Sequence, residues 1–268
     1  VFVDRTTGLL TEAGELVVAR ARRIQAELDA LAADVGSSRG ELSGQVRLGV
    51  IGTTGRWLVP ALLDALAAAH PRVGLIVVDA TTTSLIPQLA AGRLDLAVVN
   101  LPVVDPDVDV EPLFLEDHLV LVPPGHALAG TDALGLADLA EVPLLLEPPG
   151  TGFRDDLDAD AARAGVTLRA QAEVDGMRLL ASLAQDGFGA AVLPASAIGT
   201  VGRGWHAVPL RDTTPRSVGV ATSRRTRLSA PARATLGLVR EVTAAAVPAR
   251  PGLHPAADPT ADPAVERT

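Results

Sequence analysis

Four short stretches bring small polar residues to the points where an apolar strand pattern gives way to a helical one: "GTTGR" (52–56), "TTTS" (81–84), "GTGFR" (150–154) and "DGM" (175–177). At such a junction the first backbone N–H groups of the helix have no intrahelical partner, and the helix dipole presents its positive end, so a small anion is attracted. In open α/β sheets ligands bind beyond the carboxyl ends of the strands, where these junctions lie. The expected contacts are Thr53, Thr54 and Gly55, then Thr82, Thr83 and Ser84, then Thr151 and Gly152. Arg154, one turn into its helix, has the charge to pair with a carboxylate, although a surface position beside Asp155 and Asp156 suits it as well. Asn100 closes the apolar strand "LDLAVVN" with a polar side chain and joins the set. Ordinary helix capping asks for the same residue types and is the competing explanation. Asp175 would repel an anion and is expected to cap its own helix.

Other chemistries lack their residues. The chain has no Cys, which removes disulfides, thiolate metal sites and cysteine nucleophiles. Its five His (70, 118, 126, 206, 254) form no i, i+3 or i, i+4 pair, so no metal site is expected. Neither G-x-S-x-G nor a phosphate loop ending in Lys-Ser/Thr occurs, and all 23 basic residues are Arg. No enzyme and no cofactor are expected. The net charge of −9 argues against sequence-independent nucleic-acid binding by the bulk of the chain. No apolar run approaches the ~20 residues that span a bilayer, no secretion signal is apparent, and a cytoplasmic location follows as the expectation.

The elements that must position these residues alternate. "QVRLGVIG", "VGLIVVDA" and "LDLAVVN" read as strands, with helices in "GRWLVPALLDALAAAHP" and "TSLIPQLAAG". The second half repeats the scheme with "DHLVLVPP", "VPLLLEPP", "LRAQAEV" and "GAAVLP", a helix from Gly152 to Ala164, and another in "GMRLLASLAQDG". "WHAVPL", "RSVGVAT" and a last helix "PARATLGLVREVTAAAV" follow. Strands without polar alternation suit a parallel sheet covered by helices on both faces. The division expected is a first lobe of 45–115 plus 217–247, a second lobe of 116–216, and a disordered Pro-rich tail over 248–268. Ahead of them, Thr11 suits an N-cap for a helix over 11–38. Val17, Ala21, Ile24, Leu28, Leu31 and Val35 alternate spacings of four and three along it, the seam of a dimerising helix. "GSSRGELSG" (36–44) then forms a joint.

These segments resemble the LysR-type transcriptional regulators. "LTEAGELVVARARRI" is similar to the passage from wing to linker helix, and "GQVRLGVIGTTGRWLVPALLDALAAAHPRV" to the start of the effector-binding domain. "LAAGRLDLAVV", "HLVLVPPGHALAG" and "DGMRLLASLAQDGFGAAVLP" follow in the family's order. The resemblance implies an α/β, periplasmic-binding-protein-like two-lobed effector domain, preceded by a long linker helix and, over 1–10, a remnant of a winged helix-turn-helix. It implies a homodimer or tetramer, a small, carboxylate-like effector between the lobes, contact with RNA polymerase, and operator DNA bound through a module that would precede Val1. Arg5 is then the one remnant of a DNA contact, and the chain is expected to lack the recognition helix. The rival readings are a solute-binding protein of an uptake system, and a ligand-sensing remnant that heterodimerises with full-length regulators.

Overall fold

The computed structural model describes residues 2–4, 6–37, 42–199 and 204–256. An antiparallel bridge between Val3 and Leu10 precedes the first helix, α1 (Glu12–Ser37). Thr11 caps it, its Oγ1 accepting the Gly14 N–H at 3.1 Å. Beyond α1 the chain forms two compact units. The first comprises Val1–Ile51, Gly55–Leu113 and Gly219–Ala244; the second comprises Gly52–Thr54, Phe114–Val218 and Ala245–Thr268.

The first unit is built from β1 (Ser43–Val50), α2 (Gly52–Ala69), β2 (Arg72–Asp79), α3 (Thr82–Ala90), β3 (Leu96–Leu101), β4 (Val108–Glu116) and, late in the chain, β10 (Arg216–Ser223) and α6 (Ala230–Ala246). Its sheet runs β4-β10-β3-β1-β2, and β1 pairs in parallel with both β2 and β3. Crossover helices make that orientation possible, since parallel neighbours cannot be joined by a hairpin. Leu48 and Val50 of β1, Leu58 and Leu62 of α2, Leu85 and Leu89 of α3, and Leu96 and Val98 of β3 are buried together as the core. Close packing of α3 on β1 depends on Gly49, where a Cβ would stand 2.7 Å from Leu85 Cδ2. Both β4 and β10 pass from one unit to the other, β4 at Leu113–Phe114 and β10 at Val218–Gly219.

The second unit contains β5 (His118–Val122), β6 (Pro143–Leu146), α4 (Gly152–Arg163), β7 (Arg169–Glu173), α5 (Met177–Gln185), β8 (Ala190–Pro194) and β9 (His206–Pro209), in the sheet order β7-β6-β8-β5-β9. After it come β10 (Arg216–Ser223), α6 (Ala230–Ala246) and β11 (Leu253–Pro255). β6 is parallel to β7 and β8, with α4 and α5 as crossovers, whereas β5 is antiparallel to β8 and β9. The fully parallel sheet expected from the apolar runs is therefore corrected for this unit: β5 runs antiparallel to both of its neighbours. Two apolar layers flank the sheet, one holding Val120, Leu144, Leu157 and Val192, the other Leu121, Leu145, Leu180 and Leu193.

The tail expected to be disordered is corrected in its first part. Leu253–Pro255 adds β11 antiparallel to Phe114–Glu116 of β4, and Leu253 is buried. A backbone ladder and one buried leucine order a segment whose proline content argued otherwise; the Asp117 N–H also donates to the Gly252 carbonyl at 2.8 Å. Residues 257–268 lie outside the described residues, as do Arg5 and the Val35 side chain.

Candidate functional site

The second unit gathers its polar side chains around one buried ion pair. Glu116, the last residue of β4, is fully buried, and Arg216, the first of β10, exposes 9% of its side chain. Arg216 Nε donates to Glu116 Oε2 at 3.0 Å, and Nη2 joins the same oxygen. Nη2 also donates to Thr53 Oγ1 at 3.1 Å, and the Ser196 backbone N–H meets Glu116 Oε1. Nη1 makes no hydrogen bond among the described residues. Two strand ends and the first turn of α2 thus converge on one charge pair.

His118 follows two residues later, at the start of β5. It is buried, and the Phe153 ring meets it edge-on with centroids 5.0 Å apart. Burial, helped by the nearby Arg216 cation, pushes its pKa down to about 4, against the opposing pull of Glu116 and Asp117. The ring is neutral at pH 7. Its Nδ1 has no partner among the described residues, and the same holds for Ser196 Oγ and Thr54 Oγ1. Each such atom costs about 1–3 kcal/mol when left unmet, so a cluster of them beside a buried ion pair marks a place built to meet something else.

Glu147 follows β6 and is half-buried. Burial, then the neighbouring Asp175 carboxylate, raises its pKa; the Thr151 hydroxyl, the Arg216 charge and the Met177 backbone N–H act the other way. The carboxylate therefore sits at the first turn of α5. Gly176 shapes that turn with φ +120°, a conformation strained for any residue with a side chain. No cation lies within ion-pair distance of the Glu147 carboxylate among the described residues.

The residues expected from sequence divide between the units. Thr53, Thr54, Thr151, Gly152 and Arg154 belong to the second; Gly55, Thr82, Thr83, Ser84 and Asn100 belong to the first. The capping alternative is not what their side chains do. No side-chain cap bond forms at Ile51, Thr81 or Thr151, the N-cap positions of α2, α3 and α4. Thr53 instead meets Arg216, and Thr151 Oγ1 donates to the Pro148 carbonyl at 3.0 Å. Thr82 Oγ1 accepts the Asn100 N–H at 3.0 Å, while the Thr81 and Thr83 hydroxyls pair at 3.0 Å. Ser84 is engaged by Gln88 Nε2, through its carbonyl at 2.9 Å and its hydroxyl at 3.5 Å. Asn100 Oδ1 is buried without a partner among the described residues.

Two of these positions have local engagements of their own. Arg154 is buried, with Nε donating to Asp158 Oδ2 at 2.8 Å, Nη1 donating to the Glu147 carbonyl at 2.8 Å, and Glu173 Oε1 3.5 Å from Nη1. It ties the β6–α4 loop together. Gly55 serves packing, because a Cβ there would come within 3.0 Å of Val50. Asp175 caps nothing; the N-cap of α5 is Gly176, with no side-chain bond. Sequence reading also missed Glu116, His118, Glu147, Ser196 and Arg216. Its available signal was two acids and a histidine entering the otherwise apolar "LEDHLVLV".

Along α1, Val17, Ile24, Leu28 and Leu31 are between 44% and 63% exposed, and Ala21 is exposed. Among the described residues no three His, Asp or Glu side chains stand as a metal site, and no helix is long and apolar enough to cross a membrane.

Two α/β units, each with its own sheet and linked where β4 and β10 pass from one to the other, with polar groups collected where strands end, define the periplasmic-binding-protein type of effector domain. The family model for the LysR substrate-binding domain matches residues 39–244, and the chain belongs to that family. It is 35% identical over 202 residues to a probable hydrogen peroxide-inducible genes activator of Streptomyces viridosporus, a match covering 74% of this chain and 64% of that protein. The chain thus spans less than two thirds of that relative's length. Among solved structures it is similar to a full-length cysteine variant of OxyR from Pseudomonas aeruginosa, with TM-score 0.72, 24% identity, and coverage of 91% of this chain and 80% of that one. It is also similar to the effector-binding domain of QuiR in complex with shikimate, with TM-score 0.67, 21% identity, and coverage of 76% and 98%.

Proposed function

We propose that this chain is the effector-sensing and oligomerising part of a cytoplasmic LysR-type transcriptional regulator, not an enzyme. The observation that carries the sensing role is the second unit's cluster: unmet Nδ1 of His118, Oγ of Ser196 and Oγ1 of Thr54 beside the Glu116–Arg216 pair. A small molecule that supplies those hydrogen bonds stabilises the state that presents them. The expected effector is a small organic acid, favoured by the first turn of α2, which carries no acidic residue. QuiR, a neighbour in fold, was solved with shikimate.

Sensing here is non-covalent. A relative is named for hydrogen peroxide and a solved neighbour is a cysteine variant, but these 268 residues contain no Cys to oxidise. Through the exposed seam of α1 the chain forms homodimers or tetramers, and in the whole protein a winged helix-turn-helix carries operator binding while the effector alters transcription with RNA polymerase. Thermal-shift measurement with small carboxylates tests the sensing role: a ligand at about 100 times its dissociation constant stabilises by about 2.7 kcal/mol. A response that survives Thr54→Val and His118→Phe unchanged would remove the cluster from the account.

A further inference from the structure

The late strand β11 lies against the residues that carry the buried charge. It is the outermost strand of its sheet and pairs with β4 alone, Leu253 standing opposite Glu116, His254 opposite Leu115 and Pro255 opposite Phe114. Asp117, between the buried Glu116 and the buried His118, is gripped twice from the same segment. Its N–H donates to the Gly252 carbonyl at 2.8 Å, and its Oδ2 lies 2.8 Å from His254 Nε2. The Asp117 carbonyl accepts the Ala195 N–H at 3.0 Å, and the next N–H, that of Ser196, meets the Glu116 carboxylate. Gly252 completes the circuit by close approach: a Cβ there would stand 2.7 Å from the Ala195 Cβ, and its φ of +78° is strained for a residue with a side chain.

These contacts do more to place atoms than to hold the fold. Only Leu253 of the three β11 residues is buried, and the His254–Asp117 pair faces solvent, where such pairs stabilise little. What they fix is the position of Asp117 and Ala195, the neighbours of every polar group between Glu116 and His118 and of Ser196. We infer that β11 is a strap that positions the effector site: through Asp117 and Ala195 it sets where Glu116, His118 and Ser196 stand, and effector affinity depends on the strap being seated. Gly252 and His254 are its positioning residues. The link to affinity rests on the effector-sensing role proposed above, while the strap itself is read without a ligand.

The full chain and its Gly252→Ala, His254→Ala and His254→Gln variants test it. Amide exchange at Asp117 and Ser196, followed by NMR, is expected to be at least about tenfold faster in Gly252→Ala, as for the loss of one backbone hydrogen bond, with the amides of β1 and β3 unchanged. His118 is held down to about 4 by burial and the Arg216 charge, against Glu116 and Asp117. In Gly252→Ala and His254→Ala its ring should titrate closer to 6.5, because a loosened corner admits water. His254→Gln keeps a donor for Asp117 and should stay near the wild type. Calorimetry with 3-hydroxybenzoate as the carboxylate probe should show affinity at least about fivefold weaker in Gly252→Ala. Variants that lose stability while keeping the wild-type His118 titration and Asp117 and Ser196 exchange would overturn the inference and leave β11 a structural strand. If Gly252→Ala does not fold, the two His254 variants decide by the same ligand-free readouts. A wild type that binds no carboxylate counts against the sensing role, and those readouts still decide the strap.

Discussion

In the first unit the ion pairs stand at the surface: Arg240 with Glu111 at 2.5 Å and Arg224 with Asp109 at 2.6 Å, every partner about half exposed. In the second, Glu116 and Arg216 are buried, as are His118 and Asp160. Exposed pairs are screened and contribute little. A buried pair must offset the cost of removing two charges from water, so it is poor evidence of stabilisation and better evidence of a constraint on what the region does. The contrast teaches where to look: the unit that retains buried charge, and tolerates unmet donors and acceptors beside it, is the one we propose receives the ligand.

The largest test of that contrast is Arg216→Met, which strands Glu116 in the interior. A loss of about 3–5 kcal/mol is expected in chemical denaturation, with the double variant Glu116→Gln/Arg216→Met losing less. Equal losses in the single and double variants would break the comparison.

Next comes pH. The folded-state pKa of His118, about 4, lies below its usual 6.5, so the unfolded chain binds the extra proton first. Its contribution is fully present above pH 6.5 and is lost as pH falls toward about 4, amounting to about 3 kcal/mol at the bottom of that window. His118→Phe should flatten this slope in denaturation curves taken across the range. Glu147 runs the other way: a raised pKa favours the folded state at low pH and disfavours it once the group ionises. Glu147→Gln is therefore expected to raise the denaturation midpoint at neutral pH by a smaller amount, the gain coming at the site's expense. Smallest of all, Arg240→Ala in the first unit should cost about 0.2–1 kcal/mol and less in high salt.

The helices and most strands were legible because apolar runs and their punctuation dominate this chain. β4 was not, since Asp109, Glu111 and Pro112 interrupt its apolar residues; the two acids face Arg224, just past β10, and Arg240 of α6, which only the fold brings near. Glu116 and Arg216 lie 100 residues apart in sequence, so no local pattern could join them. The threonine-rich helix starts were legible as polar junctions, and Thr53 does reach the buried pair. Arg154 misled because its charge was visible in the sequence while its partners, the Glu147 carbonyl and the Glu173 carboxylate, were not.

The central claim, that the second unit's cluster seats a small effector, is tested most directly by proton NMR of the imidazole rings. With only five histidines in the chain, the His118 signal can be assigned by comparison with His118→Phe. Titration with 3-hydroxybenzoate is expected to shift the His118 resonance saturably while those of His70, His126, His206 and His254 stay in place. Saturable binding that moves another histidine and leaves His118 unmoved would contradict the account.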